Sequence, residues 1–298
     1  MKKDNEKVYL WYSKSTSVTG KKLKERLNIK GGTSPPKEED NIDLIICWGG
    51  RLPKYLNNSE IDRLKDYKYL NNVFRIEDSS NKLKALEIIK ESVKIPKCYK
   101  YDGILKALED KEINYPIISR TIRHYGGSGF KLCLQKKDLL SEIEPNKYFL
   151  EFILSQKEYR VHVFKGEILR VGIKMECEEG STNEWVKSRS NGWVIKNISS
   201  STLLPLCVVR EAICAVKELG LDIGGVDIIH SDDNKAYVLE VNTGMGLDDK
   251  GLEIYTNAII KELRRENLRI IPNEIEEILV ESEYDSNYTS YPLPPSIN

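Results

Sequence analysis

The chain contains only three histidines and has neither an HxxxH nor a CxxC pair. A zinc site therefore has nothing to be built from at the usual spacings. The six cysteines (Cys47, Cys98, Cys133, Cys177, Cys207 and Cys214) are scattered, mostly in apolar runs such as IICW and LCL. They read as reduced core thiols of a cytoplasmic protein, not as a disulfide framework. Net charge is missing too, because 46 basic and 46 acidic residues cancel. No basic excess argues for nucleic acid, and no strong field argues for a membrane surface. No run approaches the ~18 apolar residues of a bilayer-spanning helix. The start, MKKDNEKVYLWYSKS, lacks the apolar stretch of a signal peptide. No Ser-His-Asp or Cys-His constellation suggests a covalent nucleophile, and no internal repeat is visible.

What is present is a mixed α/β pattern in 298 residues, 40% of them hydrophobic, enough to bury a substantial core. Residues 8–12 and 43–48 read as short buried strands. A Gly/Pro/charged loop over 31–40 separates them, and Gly49-Gly50 turns the chain out of the sheet. This gives an abbreviated α/β domain over 1–79. Leu83, Leu86, Ile89 and Val93 fall on one helix face, with Asp78, Ser79 or Ser80 as cap and Pro96 beyond the end. Residues 115–122 and 130–134 form a hairpin with the glycine-rich tip 126–129, completing a unit over 80–147. A larger unit spans 148–270. It begins with YFLEFIL and the strictly alternating YRVHVF, which Gly166 turns into EILRVGI. A polar stretch over 176–201 reads as a functional loop or lid. An amphipathic helix over 208–219, strands over 224–229 and 236–241, and a helix over 252–265 follow. Residues 271–298 lack a core-forming pattern and read as a flexible tail.

The two strands GGVDIIH and AYVLEVN are mostly apolar, yet each carries an acid. With Asp233-Asn234 as a two-residue turn, Asp227 lies opposite Glu240, and opposed residues share a face. Asn242, two positions on, shares it as well. Like charges so placed repel, and burial worsens this. A hard divalent cation such as Mg²⁺ would offset them. The plainer alternative is a core lysine or arginine paired with one acid.

These residues resemble the ATP-grasp superfamily, in which a metal-binding Asp precedes a Glu-x-Asn at the end of the next strand. The resemblance extends in order along residues 78–265. DSSNKLKALEIIKESVKIPK resembles the segment carrying a phosphate-contacting lysine. YPIISRTIRHYGGSGFKL resembles the strand and glycine-rich flap over the phosphates. YFLEFILSQKEYRVHVFKGEILRV resembles the hinge and the strand after it. The family's flap lysine is Arg120 here, an arginine that often precedes the metal Asp is Gly225, and the Pro-Gly after Glu-x-Asn is Gly244-Met245-Gly246.

The resemblance implies an ATP-grasp fold, α/β to α+β, with the nucleotide between two subdomains. It is similar to the carboxylate-amine, peptide-type ligases, such as the ribosomal-protein glutamate and D-alanine–D-alanine ligases. It assigns Asp227, Glu240 and Asn242 to one or two Mg²⁺ ions, for which Mn²⁺ can stand in. Lys82, Arg120 and the flap Gly126, Gly127, Ser128 and Gly129 go to the ATP phosphates. Glu151, Phe152 and Ile153 go to the adenine, mostly by backbone, and Glu158 to the ribose. Arg160, Lys174 and Arg189 face the transferring phosphoryl or acyl phosphate, whereas Lys187 reads as part of a solvated loop. The implied activity is an ADP-forming ligase on an amino acid or peptide, or a protein terminus, and a homodimer is admitted. A phosphotransferase and a non-catalytic ATP-binding module are the alternatives on the same scaffold.

Overall fold

The computed structural model describes residues 4–273 except 123–128, 183, 184, 186, 188 and 199–203, and leaves the side chains of Gln156 and Arg189 undescribed. The glycines and serine expected at 126–128, and the tail from 274 onward, thus lie outside the described residues.

The first sheet is parallel, in the order β2-β1-β3-β4: β1 (Val8–Tyr12), β2 (Lys30–Gly32), β3 (Leu44–Trp48) and β4 (Lys68–Leu70). β1 and β3 are nearly continuous apolar runs, as strands buried on both faces must be. Helix α1 (Val18–Leu27) packs Leu23 and Leu27 into this core, and α2 (Asn58–Lys65) contributes Leu64. The expected loop at 31–40 is corrected in its first residues, because Gly31 and Gly32 belong to β2. A Cβ at Gly31 would lie 2.4 Å from the Leu10 carbonyl oxygen, so β2 can approach β1 only without a side chain there.

Two short helices follow, α3 (Val73–Ser80) and α4 (Lys82–Ile89). The cap expected at Asp78, Ser79 or Ser80 is Asn81, whose side chain accepts from the Lys84 N–H; the three earlier residues close α3 instead. The second sheet is antiparallel, in the order β5-β8-β6-β7: β5 (Cys98–Tyr99), β6 (Ile117–Thr121), β7 (Phe130–Cys133) and β8 (Lys147–Glu151). Helices α5 (Tyr101–Glu109) and α6 (Lys136–Leu140) cover it, with Ile104, Ile117, Leu139 and Phe149 as a separate small core.

The third sheet is antiparallel, in the order β11-β10-β9-β12-β13: β9 (Ser155–Phe164), β10 (Glu167–Glu176), β11 (Trp193–Asn197), β12 (Ile223–Ser231) and β13 (Ala236–Asn242). The polar stretch at 176–201 is therefore not wholly loop, since β11 pairs along β10 from Gly172↔Asn197 to Glu176↔Trp193. Helix α7 (Leu206–Glu218) lays Val208, Ala212 and Val216 on the sheet. Helix α8 (Asp249–Arg265) buries Leu252, Tyr255 and Ile259 in one core with Leu23 and Leu27 of α1, fusing the first and third sheets. No helix among the described residues is long and apolar enough to cross a membrane.

The β12–β13 hairpin differs from expectation in a way that matters. The reversal spans more than Asp233-Asn234: Ser231 N–H bonds the Lys235 carbonyl at 2.9 Å and Asn234 takes a left-handed φ of 57°. Near the turn the ladder is one residue out, with His230↔Ala236 and Ile228↔Val238. A bulge then restores the count, and Asp227 pairs with Glu240 and Gly225 with Asn242.

Candidate active site

The cleft of about 1100 Å³ between the second and third sheets is lined by residues from both, including Ile118, Arg120, Leu150, Glu158, Arg160, Asp227 and Glu240. β9 supplies its floor. Glu158, Arg160 and His162 alternate along the strand and all line the cleft. The neighbouring strands continue each position sideways. Arg160 pairs with Gly172 and Asp227, and Asp227 with Glu240; His162 pairs with Arg170 and Gly225, and Gly225 with Asn242.

The carboxylates carry protein cations. Arg160 grips Asp227 with two hydrogen bonds, Nε to Oδ1 at 2.6 Å and Nη2 to Oδ2 at 2.7 Å. Lys174 Nζ lies 3.5 Å from Asp227 Oδ2 and 3.2 Å from Glu158 Oε2. Lys187 Nζ reaches Glu158 Oε1 at 3.2 Å and stands over the Trp193 ring at 5.1 Å. Lys82, the first residue of α4, pairs with Glu240, whose other oxygen accepts from Asn242 Nδ2 at 3.1 Å. The pairing of acids with basic side chains, weighed against a metal from sequence, thus holds for both acids.

Burial pushes the Asp227 carboxyl up, but Lys174 and Arg160 outweigh it and hold it well below the usual carboxylate range. Burial and the Asp227 charge likewise push Glu240 up; Lys82 and Asn242 outweigh both and hold it low. Lys174 is lowered by burial and raised more strongly by Asp227 and Glu158, so it stays protonated.

Of the residues singled out in the sequence, Lys82, Arg120, Glu151, Phe152, Ile153, Glu158, Arg160, Lys174, Asp227 and Glu240 all line this cleft. Asn242 touches it through Glu240. Gly129 lies just outside β7 with φ of 68°, where a Cβ would meet Thr121 Oγ1 at 2.3 Å. Gly126, Gly127 and Ser128 lie outside the described residues, and Arg189 is described only as backbone of a short turn. One reading changes. Lys187 is not a solvated loop residue, because it is drawn to the buried Glu158. Glu151 gives its N–H to the Lys97 carbonyl at 2.9 Å and lines the cleft beside Phe152 and Ile153.

Sequence reasoning missed His162, Arg170 and Leu239. The strict alternation of YRVHVF was the available signal for His162, since it puts residue 162 on the face of Arg160.

The arrangement fits Mg²⁺ with a polyphosphate. Two opposed carboxylates and an amide supply hard oxygen ligands. The four cations Lys82, Arg160, Lys174 and Lys187 now spent on three carboxylates are those a polyanion would draw away. Among the described residues no group of three or more His, Cys, Asp or Glu could hold a metal ion.

The RimK-like ATP-grasp domain matches residues 79–265. The chain belongs to this family. ATP and Mg²⁺ as cofactors, and an ADP-forming carbon–nitrogen ligase, are accordingly the family's chemistry and this chain's. No curated protein matches. Among solved structures, the ATP-grasp fold is shared with the ligase PsnB complexed with its minimal precursor, at 14% identity and a TM-score of 0.60, covering 87% of this chain and 99% of that one. The D-alanine–D-alanine ligase from Bacillus anthracis is similar at 18% identity and 0.60, covering 87% and 98%. The macrocyclase MdnC from Microcystis aeruginosa, bound with precursor peptide MdnA, is similar at 12% and 0.55, covering 85% and 98%.

Proposed function

We propose that this ATP-grasp ligase joins the carboxylate of one amino acid or peptide to the amine of another, through an acyl phosphate, in the cytoplasm. The observation that carries this is the Asp227–Glu240 pair, set among Lys82, Arg160 and Lys174 in a cleft that Ile118, Leu150 and Leu239 also line. Asp227, Glu240 and Asn242 would hold the Mg²⁺, which supplies charge neutralisation on the polyphosphate.

The chain's own residues do the rest. Phe152 and Ile153 present backbone to the adenine, with Ile118, Leu150 and Leu239 as apolar walls. Glu158 turns from its two lysines to the ribose hydroxyls. Lys82 and Arg160 exchange carboxylates for phosphate oxygens and, with Arg120, hold the γ-phosphoryl group in line with the substrate carboxylate. That carboxylate oxygen attacks phosphorus, and ADP leaves with the bridging electron pair. Lys174, with Arg189, stays on the acyl phosphate while the amine displaces phosphate. Positioning and electrostatics carry such transfer, so a covalent protein nucleophile is unnecessary.

The test is a screen for ADP release from Mg-ATP with amino acids and short peptides, products read by mass spectrometry. An amide with ADP and phosphate is the expected outcome; a stable phosphorylated product overturns the ligase reading.

A further inference from the structure

His162 follows Arg160 by two residues on β9, so it projects into the same cleft one step further from the hinge, about 7 Å along the strand. Glu158, Arg160 and His162 therefore follow the nucleotide outward from ribose to phosphate to whatever lies beyond the transferred phosphoryl group. The far end is walled by Thr19 and Asp248.

The imidazole is held rigidly. Its Nδ1 lies 3.0 Å from the Tyr255 hydroxyl, and the two rings meet edge to face at 5.8 Å. Tyr255 is fully buried and is itself packed edge-on by Trp48 at 5.0 Å. Among the described residues His162 is the only hydrogen-bond partner of that hydroxyl. A buried phenol that failed to donate would leave its proton unsatisfied. The Tyr255 O–H therefore donates to Nδ1, which fixes the proton of the neutral ring on Nε2. Burial, then the guanidiniums of Arg160 and Arg170, lower the pKa of His162 to about 4, so the ring is neutral at working pH. Nε2 has no partner among the described residues and is not sealed off from the cleft.

We propose that His162 is a catalytic residue of the second half-reaction, its Nε2–H donating to the acyl oxygen as the amine attacks. The inference rests on the ligase reading above. The amine lone pair forms the C–N bond while the carbonyl π pair moves onto oxygen, where Nε2–H meets the negative charge. That pair then returns, the bond from the acyl carbon to the phosphate oxygen breaks, and phosphate leaves with its electrons and one amine proton. An uncharged donor suits this position. It stabilises charge that appears only in the transition state, and unlike a third cation beside Arg160 and Arg170 it adds nothing that repels an incoming amine.

The experiment compares wild type, His162→Phe and His162→Gln in Mg-ATP with a mixture of amino acids and dipeptides, with and without hydroxylamine. Hydroxamate reports the acyl phosphate; amide reports its attack by amine. His162→Phe is expected to lower amide formation ~100-fold or more, the usual cost of one lost oxyanion donor, with hydroxamate yield and Mg-ATP affinity within about threefold. His162→Gln, which keeps an N–H, is expected to regain most of the amide rate. Amide formation at the wild-type rate in His162→Phe, or an equal loss of both products, overturns the role. If wild type yields neither product, the ligase reading fails and takes this role with it. Nitrogen NMR separates the two failures: an Nδ1–H tautomer or an imidazolium for His162 at pH 7 overturns the assignment even in an enzyme that turns over.

Discussion

Lys82 and Glu240 are joined by an ion pair across 158 residues, linking the start of α4 to the end of β13. The pair ties a predicted phosphate ligand to a predicted metal ligand. On the roles proposed above, binding of Mg-ATP would break it and give each partner a new one. Glu240→Ala is expected to lower ADP formation at least ~100-fold. Its urea midpoint should stay close to wild type, because Glu240 lies on the cleft wall and not in a core. Wild-type turnover in this variant would remove Glu240 from the metal site.

Lys187→Met distinguishes the structural placement from a solvated loop. Glu158 would lose one of its two lysines, and the cleft one of its cations. Mg-ATP affinity measured by calorimetry is expected to fall about tenfold, equivalent to ~1.4 kcal/mol. An unchanged affinity would return Lys187 to the loop.

Arg120→Lys should keep ADP formation within about tenfold of wild type if Arg120 does the work of the family lysine. Arg120→Met should not. Steady-state rates of ADP release decide, and equal collapse in both variants would mean a role that depends on the guanidinium fork.

Two glycines give opposite expectations for stability. Gly49 has φ of 68°, and a Cβ there would lie 3.0 Å from the Gly244 Cα. Gly49→Ala should destabilise by ~1–3 kcal/mol. Gly103 sits in α5 with nothing within 4 Å of a Cβ, so Gly103→Ala should stabilise by ~0.5–1 kcal/mol. Urea melts of both variants test the pair.

Asp248 predicts an acid limb. Arg170 holds its carboxyl well below the usual carboxylate range, with Nη1 at 2.7 Å from Oδ1. A carboxyl depressed by folding contributes stability that is complete above its unfolded value, about pH 4, and fades as pH falls through the folded one. Asp248→Asn should therefore flatten the loss of stability between about pH 4 and pH 2 while costing some stability at pH 7. An unchanged acid limb in urea melts across that range would contradict this.

The parts of the fold legible in the sequence were those whose side chains carry a period. β1 and β3 read as unbroken apolar runs, and α7 as a clean stripe. Helix α1 escaped because its buried face includes Thr19 and Gly20; a Cβ at Gly20 would lie 2.6 Å from the Tyr12 side chain, so contact there requires the absence of a side chain. β2 escaped for the same reason at Gly31. In the site, Asp227 and Glu240 were placed opposite each other correctly although the turn was not. The bulge cancelled an error of one residue. The ion pair of Glu158 with Lys187 had no signal in spacing, because Lys187 lies in a stretch whose path no local pattern sets, whereas Lys174 stands opposite Glu158 by the β9–β10 register.

The bulge between Asp227 and Ile228 has a chemical consequence beyond register. A regular strand turns successive side chains to opposite faces. At the bulge, Leu239 and Glu240 are neighbours in sequence and both face the cleft. On the function proposed above, one strand would serve the adenine with one residue and the metal-bound phosphates with the next. The two duties would then be separable: shortening β13 by Leu239 would leave the acids opposed while removing one apolar wall from the adenine, so such an enzyme would lose its preference for adenine before it lost its hold on polyphosphate.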